Sequence, residues 1–363
     1  MGRFLLRNSR AVAVLVQAFL LCISAFADKD VNTPKTDPVA YLTQALDEMQ
    51  AHALRRDFVN WTEIRKQAFS MARHAESTVD TYDAIRFALA SLGDHHSSFH
   101  LTKSLEQLEA ERKGHPVSSE PESKTPMSPF VRRYEPEGTS VSAGSRHFAL
   151  IVVPKCFPEN DKQFVQYETR LQQLLASLDA THPDGWIVDL RGNVGGNMWP
   201  MLAGIGPLLG ESDDLGEFFT TSGHSVWTYR AGVASEVDDK GKQYAYPKIE
   251  GVPYSIKGTP KVAVLIDSWT GSSGEAVAIA LRGRPQTRFF GEHTQGASTV
   301  NETVDLPDGA SMWLTIGVAA DRTGKQYLKG IDPDEVVRET GQAVSGDHDP
   351  VVQHAIAWLS IGG

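Results

Sequence analysis

The sequence predicts an α/β protein, with a small all-α region at the N-terminal end and a helix-covered sheet after it. Three observations carry this. From His147 onward, short apolar runs such as "HFALIVV", "GWIVDL" and "KVAVLID" alternate with stretches of helical periodicity. Before residue 100, apolar residues recur at helical spacing. Between the two, residues 103–145 hold five prolines between Pro116 and Pro136 and few large apolar side chains. That stretch reads as a linker or a flap.

Taken in order, the first residues read as an export leader. Arg3, Arg7 and Arg10 precede the apolar run "AVAVLVQAFLLCISAFA", and Ala25-Phe26-Ala27 offers a small-residue cleavage site before Asp28. The run is also long enough for an uncleaved anchor, while bulky Leu21 before Cys22 argues against a lipid-modified cysteine. A periplasmic or secreted location is expected. The domains predicted are 1–27 as leader, 28–102 as a helical domain, 103–145 as linker or flap, and 146–363 as the catalytic domain.

In the helical region, Asp37-Pro38 starts a helix with Leu42, Leu46, Met49 and Ala53 on one face. Asn60 to Glu63 resembles a capping box before Ile64, Ala68, Met71 and Ala75. Thr81 opens a third helix, striped by Tyr82, Ile85, Leu89 and Leu92 and stopped by Gly93.

In the second region, Phe164, Tyr167, Leu171, Leu174 and Leu178 mark a helix, and "VGGNMWPMLAGIGPLL" is a glycine turn running into another. Strand-like pieces follow at Glu217–Thr221 and Ser225–Arg230. "KVAVLID" leads through Thr270-Gly271-Ser272-Ser273-Gly274 into an alanine-rich helix, and "TRFFG" is a strand. Residues 298–319 read as a hairpin turning at Pro307-Asp308-Gly309, and Asp349-Pro350 starts a last helix.

The formal net charge is −10, and loss of a leader with three arginines and no acid would take it to about −13. Such a chain is a poor partner for nucleic acid or anionic lipid. Only Cys156 would remain after cleavage, so no internal disulfide is expected. No Cys/His cluster has zinc spacing, and no cofactor or metal is expected.

Three places are over-specified for structure alone. "DLRGNVGGN", Asp189 to Asn197, ends a strand in glycines that open a helix. Glycines let backbone approach a ligand, and free N–H groups there favour negative charge. The turn suits an oxyanion hole, and an ordinary tight turn is the plainer reading. The serine turn at Ser272-Ser273 also follows a strand; it is either a helix cap or a nucleophile. Two such turns at the same end of neighbouring strands would face one crevice. "LGDHHSSFH", Leu92 to His100, then offers histidines as a base.

With those segments in hand, the sequence resembles the tail-specific, carboxy-terminal processing serine proteases, and within them the branch holding the tricorn core and interphotoreceptor retinoid-binding protein. "LASLGDHHSSFH", "GWIVDLRGNVGGN", "VAVLIDSWTGSSGEAVAIAL" with "FFGEHTQGAST", and "GIDPDEVV" match the family's segments in order, from Asp37 to Val337. The resemblance implies a ClpP/crotonase-like core and an exported serine peptidase, a hydrolase of peptides or unfolded protein. It places the nucleophile on Ser272 and the base on His96, with Asp94 two residues before it. The oxyanion hole falls on Ser273 with Gly195 or Gly196.

Many members pair the serine with a lysine; the matching position here is Ala297, which leaves a Ser–His arrangement. The acid that orients the histidine falls in the C-terminal region. Asp332 is the first choice, with Asp321, Asp334 and Glu302 behind it. The stretch from Lys103 to Gly144 is too short for the PDZ domain of many members, so tail recognition of that kind is not expected. Two other readings stay open. One is an apolar-ligand binding protein using Met198, Trp199 and Met201. The other is an acyl-transfer or lyase reaction on coenzyme A, for whose phosphates no basic cluster is evident.

Overall fold

The computed structural model describes residues 36–114, 129–338 and 348–361. The expected leader and the residues after it to 35 lie outside that range. Three helices come first, α1 (Pro38–His52), α2 (Trp61–Met71) and α3 (Tyr82–Ser91), followed by β1 (Ser98–His100) and α4 (Lys103–Lys113). Next come β2 (Glu137–Ala143), β3 (Arg146–Val152), α5 (Asp161–Asp179), β4 (Trp186–Asp189) and α6 (Met198–Leu209). A run of strands follows: β5 (Ser212–Thr220), β6 (Gly223–Arg230), β7 (Val233–Asp238), β8 (Gln243–Ala245) and β9 (Val262–Ile266). The chain then forms α7 (Ser273–Leu281), β10 (Thr287–Gly291), β11 (Thr299–Asp305), β12 (Ser311–Asp321), β13 (Gln326–Tyr327), β14 (Glu335–Val336) and α8 (Pro350–Leu359).

One sheet runs β14-β10-β9-β4-β3-β2, parallel except for the β2–β3 pair. Its central strands are buried throughout, as strands covered on both faces must be. Side chains alternate between the faces. Phe148, Leu150, Ile187, Ala263 and Leu265 pack with Val352 and Ile356 of α8. Ala149, Ile151, Val188 and Val264 belong with Leu171, Leu202 and Val277 of α5, α6 and α7. The second sheet is antiparallel, β1-β12-β5-β6-β7-β8, with β11 and β13 also on β12.

The N-terminal helices start where their caps predict. The Asp37 carboxylate accepts from the Val39 and Ala40 N–H groups, and the Asn60 side chain accepts from Glu63. The α2 stripe ends sooner than expected: Met71 is its last residue and is 45% exposed. These helices do not enclose a core of their own. Tyr41, Leu42, Leu46, Tyr82 and Ile85 join one apolar cluster with Met312 and Leu314 of β12. The Tyr41 and Tyr82 hydroxyls donate to the two Asp308 oxygens, at 2.8 and 2.7 Å, at the tip of the β11–β12 hairpin. The three helices therefore share an apolar cluster with the second sheet.

The stretch expected as a linker carries structure at both ends, in α4 and β2, while its middle, 115–128, lies outside the described residues. Helix α4 has no buried residue. It is held by Arg86–Glu109, Lys113–Asp83 and Arg112–Asp80 ion pairs, which leave no apolar stripe to read. Strands β7 and β8 are likewise missing from the sequence reading. Among the described residues, no helix is long and apolar enough to cross a membrane.

Candidate active site

Strands β4 and β9 are parallel neighbours, with Asp189 opposite Leu265. Each ends in a turn that opens a helix, so the two turns lie side by side at one edge of the sheet. They are bonded to each other: the Gly271 N–H donates to the Asn193 carbonyl at 2.9 Å, and the Thr270 hydroxyl to the Leu190 carbonyl at 2.9 Å.

Ser272 occupies the N-cap of α7 with φ 50° and ψ −121°. A side chain with a Cβ avoids that region, and holding one there costs about 1–3 kcal/mol. What holds it is Glu275, fully buried in the first turn. One of its oxygens accepts from the Ser272 N–H at 3.0 Å; the other accepts from the Gly296 N–H at 3.0 Å and from the Thr294 hydroxyl. Burial pushes the Glu275 carboxyl up, against the pull of those donors.

The glycine turn sits against this serine. A Cβ on Gly195 would stand 2.8 Å from the Ser272 Cβ, and one on Gly196 would stand 1.9 Å from the Cys156 carbonyl oxygen. Only glycine fits either place. The Gly195 N–H, expected as an oxyanion donor, donates instead to Asn193 Oδ1 at 3.0 Å. The Gly196 and Ser273 N–H groups have no acceptor among the described residues. The Ser273 hydroxyl donates to the Gly196 carbonyl, tying the two turns together.

The charged residues of "DLRGN" have a different fate. Arg191 makes two bonds to Asp189, each 2.9 Å, and one to Asp349 at 2.7 Å; Arg133 is the second guanidinium on Asp189, at 2.7 Å. Burial alone would raise the Asp189 carboxyl, but the two guanidiniums outweigh it and hold it well below the usual range. The Phe130 ring lies 4.2 and 4.3 Å from the Arg191 and Arg133 guanidinium carbons. Arg191 is thus committed to structure.

His96 arrives from the other end of the chain. Strand β1, which follows it, pairs with β12, Ser98 opposite Trp313. The His96 N–H donates to Asp94 at 3.1 Å, and its carbonyl accepts from Asn301 Nδ2 at 2.9 Å. Its Nδ1 meets the Thr299 hydroxyl at 2.8 Å. Burial lowers the imidazole pKa, against the opposing charge of Asp94, so the ring is neutral near pH 7.

His96, Ser272, Ser273 and Gly196 line one cavity of about 580 Å³. Met198, Trp199, Phe218, Val300 and Trp313 give it apolar walls. Met201 is not among its lining residues; its sulfur receives a bond from Asn193.

The structure does not bring the expected acid to His96. Asp332 is 86% exposed at its side chain and accepts from His293 Nδ1 at 2.8 Å. Asp321 accepts from Thr323 and Tyr327, and Asp334 from Arg282 and the Phe289 N–H. Glu302 is absent from the cavity lining. Thr299, Asn301 and Glu275 were not singled out from the sequence. A threonine or asparagine in a strand carries no chemical signal until its neighbours are known.

A sequence profile described as peptidase family S41 matches residues 157–337. The nisin-resistance protein of Lactococcus lactis subsp. lactis is 30% identical over 306 residues, with 82% of each chain covered. The carboxy-terminal processing protease CtpA of Bacillus subtilis (strain 168) is 27% identical over 164 residues, 45% of this chain and 30% of that protein. Among solved structures, a lipoprotein from Streptococcus agalactiae superposes with a TM-score of 0.62 at 22% identity, covering 91% of this chain and 99% of that one. The photosystem II D1 C-terminal processing protease gives 0.57 at 18%, covering 88% and 97%.

Proposed function

The chain belongs to peptidase family S41 and is a serine peptidase, and from that premise we propose that Ser272 is its nucleophile and His96 its general base. The observation that carries this is the strained Ser272 backbone, held by Glu275 at the edge of the cavity that His96 also lines. In this reading His96 Nε2 takes the Ser272 hydroxyl proton as Oγ attacks a peptide carbonyl. The developing oxyanion sits against the Gly196 and Ser273 N–H groups. His96 then passes its proton to the leaving amine, and water resolves the acyl-enzyme by the reverse sequence.

The parallel core with its paired turns is read as a ClpP/crotonase-type arrangement. The leader over residues 1–27 directs export, so the substrates are peptides or protein segments outside the cytoplasm. The name of the nisin-resistance relative makes nisin the first substrate to try.

A fluorophosphonate probe tests the assignment directly. The expected result is one modified residue, Ser272, with labelling abolished in Ser272→Ala and strongly slowed in His96→Ala. Folded protein that resists the probe would overturn the assignment. It would favour an apolar-ligand binding role instead, for which Met198 and Trp199 supply cavity walls.

A further inference from the structure

We propose that Thr299 is the positioning residue for His96, and that its hydroxyl stands where a serine–histidine site ordinarily has a carboxylate. The inference rests on the reading of Ser272 and His96 given above.

A histidine that takes a proton through one ring nitrogen must carry its own hydrogen on the other. The partner of that second nitrogen fixes the tautomer and the ring plane. For His96 that partner is Thr299, whose Oγ1 stands 2.8 Å from Nδ1 and whose backbone also bonds the ring. Among the described residues, His96 makes no ion pair with a carboxylate. The hydroxyl accepts the Nδ1 hydrogen, and Nε2 keeps its lone pair.

Thr299 is well placed to hold the ring still. It opens β11, opposite Val318 of β12, and a register shift between Val300 and Asn301 follows it. The same strand reaches His96 a second time, through Asn301. The Thr315 hydroxyl on β12 lies 3.0 Å from Asn301 Oδ1 and 3.1 Å from Asp94 Oδ1, and Asp94 in turn accepts the His96 N–H. Ring, N–H and carbonyl of His96 are thus fixed by one hydrogen-bonded set that joins the segment before β1 to two strands, β11 and β12.

A neutral hydroxyl stabilises the imidazolium less than a carboxylate does. Among the described residues, the titratable side chains lining the cavity are His95 and His96, and Asp94 is the carboxylate that acts on His96 from its own segment. The base therefore stays weakly basic and works at lower pH than a carboxylate-paired histidine.

The test follows the rate of Ser272 phosphonylation by a fluorophosphonate against pH, in which an O–P bond forms, fluoride leaves and His96 takes the proton. Thr299→Val is expected to slow it by roughly ten- to a hundredfold, in the range for losing an orienting partner. Thr299→Ser is expected to stay within about threefold of wild type. Thr299→Asp is expected to move the inflection upward by about one pH unit, because a carboxylate favours the charged ring. Wild-type rates in folded Thr299→Val, or an unmoved inflection in Thr299→Asp, would overturn the role of Thr299. Wild-type rates in His96→Ala would instead overturn the assignment of the base itself.

Discussion

The two strand-to-helix turns at the edge of the parallel sheet look alike in sequence and use their polar residues in opposite ways. At the end of β4, Asp189 and Arg191 have their bonding capacity filled by one another, by Arg133 and by Asp349. At the end of β9, Ser272 is forced into a left-handed backbone and fronts an open cavity. A buried charge with every partner in place marks structure. A small polar residue held in strain beside unfilled donors marks chemistry.

The sharpest way to break this contrast is a pair of substitutions. Ser272→Ala should lose about ten-thousandfold in peptide hydrolysis, the scale for removing a nucleophile, with an unchanged melting temperature. Asp189→Asn should do the reverse. It removes the carboxylate that Arg191 and Arg133 share and should cost about 3–5 kcal/mol in urea unfolding, with far smaller loss of activity per folded molecule. Comparable stability losses in both would dissolve the distinction. The acid side adds a check. The folded-state carboxyl of Asp189 is held below its unfolded value of about 3.9, so its contribution is present above that pH and lost as pH falls further. The gap between wild type and Asp189→Asn should close there.

A middle-sized effect concerns His96. Neutral imidazole is the active base, so the rate should rise as pH passes its pKa. Burial lowers that pKa despite Asp94, and the acid limb should lie below the ordinary value of about 6.5. A pH–rate profile with its inflection at or above 6.5 would count against the ring's buried setting. The smallest effect is expected at Ser273. Its hydroxyl bonds the Gly196 carbonyl, but its backbone N–H is the proposed donor. Ser273→Ala should keep activity within about tenfold and lose about 1 kcal/mol of stability in urea. A collapse like that of Ser272→Ala would exchange the roles of the two serines.

Both turns and the histidine segment were legible because each carries a local signature: glycines, hydroxyls or histidines next to an apolar strand. The helix starts at Asp37, Asn60 and Asp349 were legible for the same reason, since a cap is a contact between near neighbours. Thr299 was not, because its role arises only once β11 lies on β12 and β12 on β1. The sequence offers no way to rank Asp332 among the acids of the C-terminal turns, and the fold places it at the surface on His293. Gly195 failed as a donor for a local reason no pattern reveals, namely that Asn193 folds back onto its N–H. Helix α4 was missed because ion pairs to Asp80, Asp83 and Arg86, in place of an apolar face, hold it down.

The β11–β12 hairpin has a consequence in time. The proposed base lies in the first third of the chain, while the proposed nucleophile, the threonine on the imidazole and the strand that seats it are all made later. A nascent polypeptide that has reached residue 290 already carries His96 and Ser272, yet it has nothing to orient the imidazole. The bonds from Tyr41 and Tyr82 to Asp308 at the hairpin tip need the chain made past residue 308. A chain that ended before residue 299 would hold both His96 and Ser272 and neither of the β11 side chains, Thr299 and Asn301, that bond His96.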